Sequence, residues 1–243
     1  MSNRTAIITG AARRIGAAIA CELHRLGMDV IIHYHHSAAA AEALAQQLNT
    51  QRPRSAQAMA ADLANTGSCA SLIDKACAIN KRLDVLVNNA ALFYPTSVME
   101  LDEHTWNEML NVNLKAPLFL SRAAAAYLAR TSGSIINIAD IHAERPLKNH
   151  VLYSISKAGL VMLTRSLAKE LGPAIRVNAI SPGAILWPED LGDEIRKKIL
   201  ARTVLKRPGA VEDITRAVSY LVNDANYTTG QVLMIDGGRT LYS

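Results

Sequence analysis

Tyr153 and Lys157 stand four residues apart, a spacing that on a helix stacks two side chains on one face, one turn above the other. An ammonium group in that place stabilises a phenolate, lowers the tyrosine pKa and makes the phenol a usable general acid near neutral pH. Leu160, Leu163, Leu167 and Leu171 keep helical spacing behind the pair, and Gly172-Pro173 closes the run. Taken alone, Tyr-x3-Lys describes many solvated helix faces. The elements around it must decide whether chemistry is done there.

A second candidate lies near the start. Thr5 to Ile8 reads as a short strand, followed at once by Thr9-Gly10-Ala11-Ala12-Arg13-Arg14-Ile15-Gly16 and then by helical spacing through Ile15, Ile19, Leu23 and Leu26 to Gly27. Strand, glycine-containing turn and helix together aim backbone N–H groups and a helix N-terminus at a phosphate. The Gly-x-Gly-x-x-Gly fingerprint itself is absent. The next apolar run, Val30 to Ile32, ends in His33-Tyr34-His35-His36-Ser37. NAD-preferring folds place a carboxylate near this point to bind the ribose 2′-hydroxyl. None stands between Asp29 and Glu42; Arg13, His36 and Ser37 could instead surround a 2′-phosphate, so NADP is the expected cofactor. His33, His35 and His36 also raise a metal site, but strand alternation keeps the three from sharing one face and no carboxylate ligand is near, so no metal is expected.

The remaining elements alternate. Ser37 is placed to cap a helix over Ala38 to Leu48; a strand follows at Gln57 to Ala60, then Asp62-Leu63, a helix from Gly67 to Asn80, and the strand Val85 to Val87 with Asn88-Asn89-Ala90-Ala91 at its end. A long amphipathic pattern, Thr105 to Leu128, carries Asn111 and Asn113 inside it. Strands at Ser134 to Ile138, Arg176 to Ile180 and Val232 to Ile235 complete the series, with a helix at Glu212 to Leu221 and a less regular segment from Ala184 to Lys206. Seven alternations predict a single α/β domain spanning 1–243, of Rossmann type, with a doubly wound seven-stranded parallel sheet flanked by helices. Every polar cluster named so far falls at the carboxyl end of a strand, where such sheets bind ligands.

At 243 residues the chain can bury a sizeable core. It has no apolar run long enough to span a bilayer, and Thr5 to Ile8 follows too soon for a signal peptide, so a cytoplasmic protein with no membrane contact is expected. Cys21, Cys69 and Cys77 are odd in number and lack metal spacing, which reads as reduced buried thiols. A formal charge of +5 suits an anionic ligand, but it forms no basic stripe, and nucleic acid is not expected.

Thr9-Gly10 with Gly16, Asp62, Asn88-Asn89-Ala90, Asn113, Tyr153-x3-Lys157 and Pro182-Gly183 together resemble the short-chain dehydrogenase/reductase family over essentially the whole chain. Arg14 stands where the family pattern has its middle glycine, and Asp140 where it has its catalytic serine, thirteen residues before the tyrosine. Both departures are similar to those of the pteridine reductase subgroup, as are His33 to Ala39 and Asn88 to Thr96, although that subgroup commonly has an arginine in place of His36. The resemblance implies NADPH-dependent reduction of a pterin or folate such as dihydrobiopterin, dihydromonapterin or dihydrofolate, by a homotetramer. It implies cofactor binding by Gly10, Arg13, Arg14, Ile15, Gly16, His36, Ser37, Asp62, Leu63, Asn89, Ala90, Tyr153, Lys157, Pro182 and Gly183. Lys157 would hold the nicotinamide ribose, and Asn113 would tie a water to that lysine for proton relay. Phe93, Leu186 and Trp187 would meet the substrate, with the segment containing Glu189-Asp190 above it.

The residues agree with that implication. A pterin has C=N bonds to reduce and no ketone, and a serine hydroxyl polarises a ketone oxygen. A group that delivers a proton to nitrogen serves better, and Asp140 does so if it is held protonated or relays through Tyr153. Phe93, at a strand end beside Pro95, offers a flat face for a pterin to stack on. The long fork of Arg14 suits both a phosphate and a ligand heteroatom. Two other readings remain open: a reductase of carbonyl substrates such as 3-oxoacyl thioesters, and a catalytically silent NADPH-binding protein, against which the joint presence of Tyr153, Lys157 and Asn113 argues.

Overall fold

The computed structural model describes residues 4–187 and 192–242. Seven strands form one sheet: β1 (Thr5–Ile8), β2 (Asp29–Tyr34), β3 (Ala56–Ala60), β4 (Val85–Asn88), β5 (Ser134–Ile138), β6 (Arg176–Pro182) and β7 (Val232–Ile235). All neighbours pair in parallel, in the order β3-β2-β1-β4-β5-β6-β7. From β1 the chain winds outward to β3, then returns to the other side of β1 as β4. The direction therefore reverses between β1 and β4, which opens a crevice at the carboxyl ends of those two strands.

Both faces are covered, as the apolar strands require. Burial is complete for all four residues of β1 and of β4. On one face α1 (Arg14–Arg25), α2 (Ala38–Gln51) and α8 (Val211–Asn223) pack through Ile19, Leu23, Leu48, Ile214 and Leu221. On the other, α3 (Thr66–Asn80), α5 (Ala116–Ala129) and α6 (Val151–Leu171) pack through Ile73, Leu120, Leu128 and Leu167. No helix among the described residues is long and apolar enough to cross a membrane. Cys69 and Cys77 are buried free thiols, whereas Cys21 on α1 is half-buried against the core.

Four expectations are corrected. The pattern from Thr105 to Leu128 is not one helix: α4 (Glu103–Leu110) is separated from α5 by a π-helical turn, Asn111–Lys115. Pro117 has no N–H to give to the carbonyl four residues back, and the Ala116 N–H reaches Asn111 O instead. Within Ala184 to Lys206 there is a regular helix, α7 (Asp193–Ala201), which fully buries no side chain, so its apolar signal is short and weak. Glu189 and Asp190 lie outside the described residues. Strand β2 runs past Ile32 to Tyr34, so that His33 pairs with Met59 and is buried rather than standing at the strand end. Ser37 does occupy the N-cap of α2, but its hydroxyl makes no capping hydrogen bond.

Candidate active site

The turn after β1 is held by hydrogen bonds to the end of β4. Thr9 Oγ1 accepts the N–H groups of Asn89 and Ala90 at 2.9 and 3.0 Å, and Asn89 Nδ2 donates to Thr9 O at 2.8 Å and Gly10 O at 3.1 Å. The two strand ends approach too closely for side chains. A Cβ on Gly10 would lie 2.9 Å from Ala90 Cα, and one on Gly16 would run into Gly10 O and lie 2.5 Å from Asn89 Nδ2. Gly10 also has φ +60°, a left-handed conformation that glycine adopts without strain. The N–H groups of Gly10 and Ala11 both end on His33, on its Nδ1 at 3.0 Å and on its backbone carbonyl at 2.9 Å.

The helix that follows presents an unsatisfied end. Arg13, extended at the N-cap of α1, supplies no side-chain cap, and the first turn holds no acidic residue. Arg13 and Arg14 are exposed, and neither makes an ion pair or side-chain hydrogen bond with the described residues. Arg14 has φ +55°. This is the position where the family pattern has glycine, and the backbone still takes the glycine conformation. A side chain there costs about 1–2 kcal/mol, while glycine would enlarge the unfolded ensemble at a cost of about 0.4–1 kcal/mol. Arg14→Gly should therefore raise the stability of the ligand-free protein by about 0.5–1 kcal/mol, measured as a higher urea midpoint at unchanged m. A fall in the midpoint would show that the arginine side chain holds the turn.

The catalytic candidates meet where β5 ends and α6 begins. Tyr153 Oη donates to Asp140 Oδ2 at 2.8 Å, while Asp140 Oδ1 accepts the His142 N–H at 2.8 Å. Lys157 is buried, donates to Ile138 O at 2.8 Å, and lies 5.7 Å from the centre of the Tyr153 ring. Its pKa is brought down to about 8 by burial, against the pull of the Asp140 charge. The expected lowering of the Tyr153 pKa is overturned. Burial, then the Asp140 carboxylate and the hydrogen bond to it, push the phenol well above its ordinary range. The tyrosine is thus held protonated, and any proton it gives up leaves a phenolate beside a carboxylate.

Phe93 stands at the edge of this pair. Its ring meets Tyr153 edge-on at 4.7 Å and stacks on His150 at 4.8 Å, and the side chain remains 50% exposed, so it is not a core aromatic. The segment carrying it is fastened by Asn113, whose Oδ1 accepts the Leu92 N–H at 2.7 Å and whose Nδ2 donates to Leu92 O at 2.9 Å and Ser156 Oγ at 3.0 Å. The Asn113 side chain is therefore tied to the backbone next to Phe93. Neither His150 nor Ser156 was marked by any spacing, since each acts through a fold contact.

Other expected residues are spread more widely along the strand ends. Pro182 is buried at the end of β6, and Gly183 faces Asp236, whose Cα a Cβ would approach to 2.7 Å. Asp62 Oδ1 accepts the Ala64 N–H at 3.0 Å within its own loop, and Leu63 is buried in the core. His36 is exposed after β2, its ring 3.6 Å from that of His35. Leu186 is exposed and Trp187 half-buried. Ile15 is half-buried on the first turn of α1.

These features fit a dinucleotide. Two glycines leave room that a Cβ would fill, an uncapped helix end faces outward, and two arginines with no side-chain partner among the described residues flank it. Comparison with known proteins agrees. A family model described as enoyl-(acyl carrier protein) reductase matches residues 10–240. Pteridine reductase 1 of Leishmania tarentolae is 36% identical, over 97% of this chain and 96% of its own length. A 3-oxoacyl-(acyl-carrier-protein) reductase of Staphylococcus aureus is 33% identical over 97% of both chains, and glucose 1-dehydrogenase 2 of Bacillus subtilis is 32% identical over 100% of this chain and 96% of its own.

Proposed function

Because the chain belongs to the short-chain dehydrogenase/reductase family, we propose that it is an NADPH-dependent reductase of pteridines, taking dihydropterins or dihydrofolate to the tetrahydro form. The observation that carries this reading is the 2.8 Å hydrogen bond between Tyr153 and Asp140, in the place where the family has a serine. Relatives named for three different substrates are similar to this chain at 32–36% identity, so the site must discriminate among them.

The bound cofactor supplies the hydride. The uncapped start of α1, with Arg13 and Arg14, would hold its phosphates, and Arg13, His36 and Ser37 its 2′-phosphate. Gly10, Asn89 and Ala90 form the floor, with Ile15, Gly16, Asp62, Leu63, Pro182 and Gly183 around it. Tyr153 donates its proton to the ring nitrogen of the pterin. The neighbouring carboxylate opposes a free phenolate, so the phenol gives its proton away as another reaches it from solvent, relayed through Asp140. Lys157, charged below about pH 8, favours the anionic end of that transfer and would also hold the nicotinamide ribose. Phe93 would stack on the pterin, with Arg14, Leu186 and Trp187 at its edges. A homotetramer accords with exposed Leu118, Ile155 and Met162 on α5 and α6.

NADPH and NADH oxidation with a panel of dihydropterins, dihydrofolate and an acetoacetyl thioester tests the reading. Dihydropterin turnover with NADPH preferred is expected; preference for the thioester would replace it with carbonyl reduction, and no turnover at all with the silent alternative. Within the same assay, Phe93→Ala should raise the pterin KM by the equivalent of about 1–3 kcal/mol, the scale of a base–aromatic stack. Melting temperature should change little, because half the side chain is exposed. A large loss of stability with unchanged KM would make Phe93 a packing residue only.

A further inference from the structure

His33 is 2% exposed, and no step assigned above uses it. Its ring spans two segments: Nδ1 lies 3.0 Å from Gly10 N, and Nε2 lies 3.1 Å from Ala61 O. A backbone N–H can only donate and a carbonyl can only accept, so the partners dictate the neutral tautomer with its proton on Nε2. The backbone of the same residue takes the next amide, that of Ala11. One residue of β2 therefore absorbs the two inner N–H groups of the glycine turn. Those of Ala12 and Arg13, which follow, reach no backbone acceptor among the described residues.

We propose that His33 is a positioning residue for the dinucleotide, fastening the phosphate-facing turn after β1 to the end of β3 across the intervening strand. Ala61 immediately precedes Asp62-Leu63, so the imidazole ties the segment placed at the phosphates to another of the segments placed around the cofactor. An aliphatic side chain would satisfy the packing of β2 between Ile32 and Tyr34 but would leave the half-buried Gly10 N–H without its protein acceptor, free to turn and take its neighbours with it. Burial, opposed by the bond to Ala61 and assisted by His35, holds the His33 pKa down to about 4, so the acceptor is present throughout the neutral range. The inference rests on the dinucleotide reading and is independent of which substrate is reduced.

The test is NADPH affinity of the ligand-free protein by nicotinamide fluorescence, beside melting temperature, for the unmodified chain and for His33→Leu, His33→Asn and His33→Gln. The Asn carboxamide oxygen comes where Nδ1 is and can take the Gly10 N–H; the Gln amide comes where Nε2 is and reaches Ala61 instead. His33→Leu should weaken NADPH about tenfold, the equivalent of one hydrogen bond, and His33→Asn should recover most of that loss, binding more tightly than His33→Gln. If His33→Leu does not fold, the order of Asn and Gln decides alone. Unchanged affinity in His33→Leu, or Asn binding no tighter than Gln, would overturn the proposal. An unmodified protein that binds neither NADPH nor NADH would remove the dinucleotide reading itself, and this one with it; losses confined to the variants leave that reading standing.

Discussion

Asp140→Ser is expected to lower kcat/KM for a dihydropterin about a hundredfold, equivalent to about 2.7 kcal/mol of transition-state stabilisation, while leaving NADPH binding intact. Both carboxylate oxygens are engaged, one by Tyr153 and one by the His142 N–H. A serine hydroxyl is too short to keep both contacts and cannot resupply the phenol with a proton. The two side chains also serve different transition states. An alkoxide forming on a ketone oxygen needs a neutral hydroxyl donor and is repelled by an ionised carboxylate, whereas a ring nitrogen needs an acid. A weak ketone reductase activity should therefore emerge in the variant as pterin reduction falls. The comparison is kcat/KM for a dihydropterin and for an acetoacetyl thioester in both proteins across pH. Undiminished pterin reduction by Asp140→Ser would end the pteridine assignment.

Lys157→Met should lower turnover by about two to three orders of magnitude, the usual effect of removing one preorganised electrostatic contact, and should change how stability depends on pH. The folded-state pKa of Lys157, about 8, lies below the ordinary 10.5. Between those values the unfolded chain binds more protons at this position than the folded one, so stability contributed here rises as pH rises from 8 to 10.5. Below pH 8 both states are charged and the full penalty, about 3 kcal/mol, is carried at neutral pH. The methionine variant escapes that penalty but leaves the Ile138 carbonyl without its donor, a loss of about 1–3 kcal/mol. Net stability at pH 7 should consequently change little. The difference in urea stability between the two proteins should move in favour of the unmodified chain as pH is raised above 8. A difference constant with pH would place the lysine outside the low-dielectric interior.

The alternation of β1 to β7 with their helices was legible because each buried strand is a short apolar run closed by polar or glycine residues. The placement of Asp140 just after β5, and of Tyr153 and Lys157 on the helix that follows, is legible in the same pattern. What spacing could not show is which groups satisfy one another. Tyr153 was expected to owe its acidity to Lys157; the fold turns that ammonium to Ile138 O and gives the phenol to Asp140, which reverses the sign of the effect. In the sequence His33 is one of three histidines near a strand end, and its value lies in two backbone partners distant in the chain. Helix α7 is hard to see in the sequence because periodicity records burial, and α7 fully buries no side chain. The break before α5 escaped for the opposite reason. Apolar residues on both sides of it are buried, so the pattern looks continuous although the helix is not.

That break has an evolutionary consequence. A π-helical turn holds one residue more than the α-helix it interrupts, and each residue added to or taken from a helix rotates everything beyond it by about 100°. The extra residue lets Asn113 face inward to Leu92 while Ala116, Leu120, Ala124 and Leu128 still face the sheet. Substitutions at outward positions such as Asn111 and Lys115 leave this phase untouched. A single-residue deletion anywhere from Asn111 to Lys115 would force a choice between the aromatic's support and the core, since no one helix can serve both. Homologous chains that keep the site should thus vary at outward positions such as Lys115, keep Asn113, and hardly change in length across these five positions.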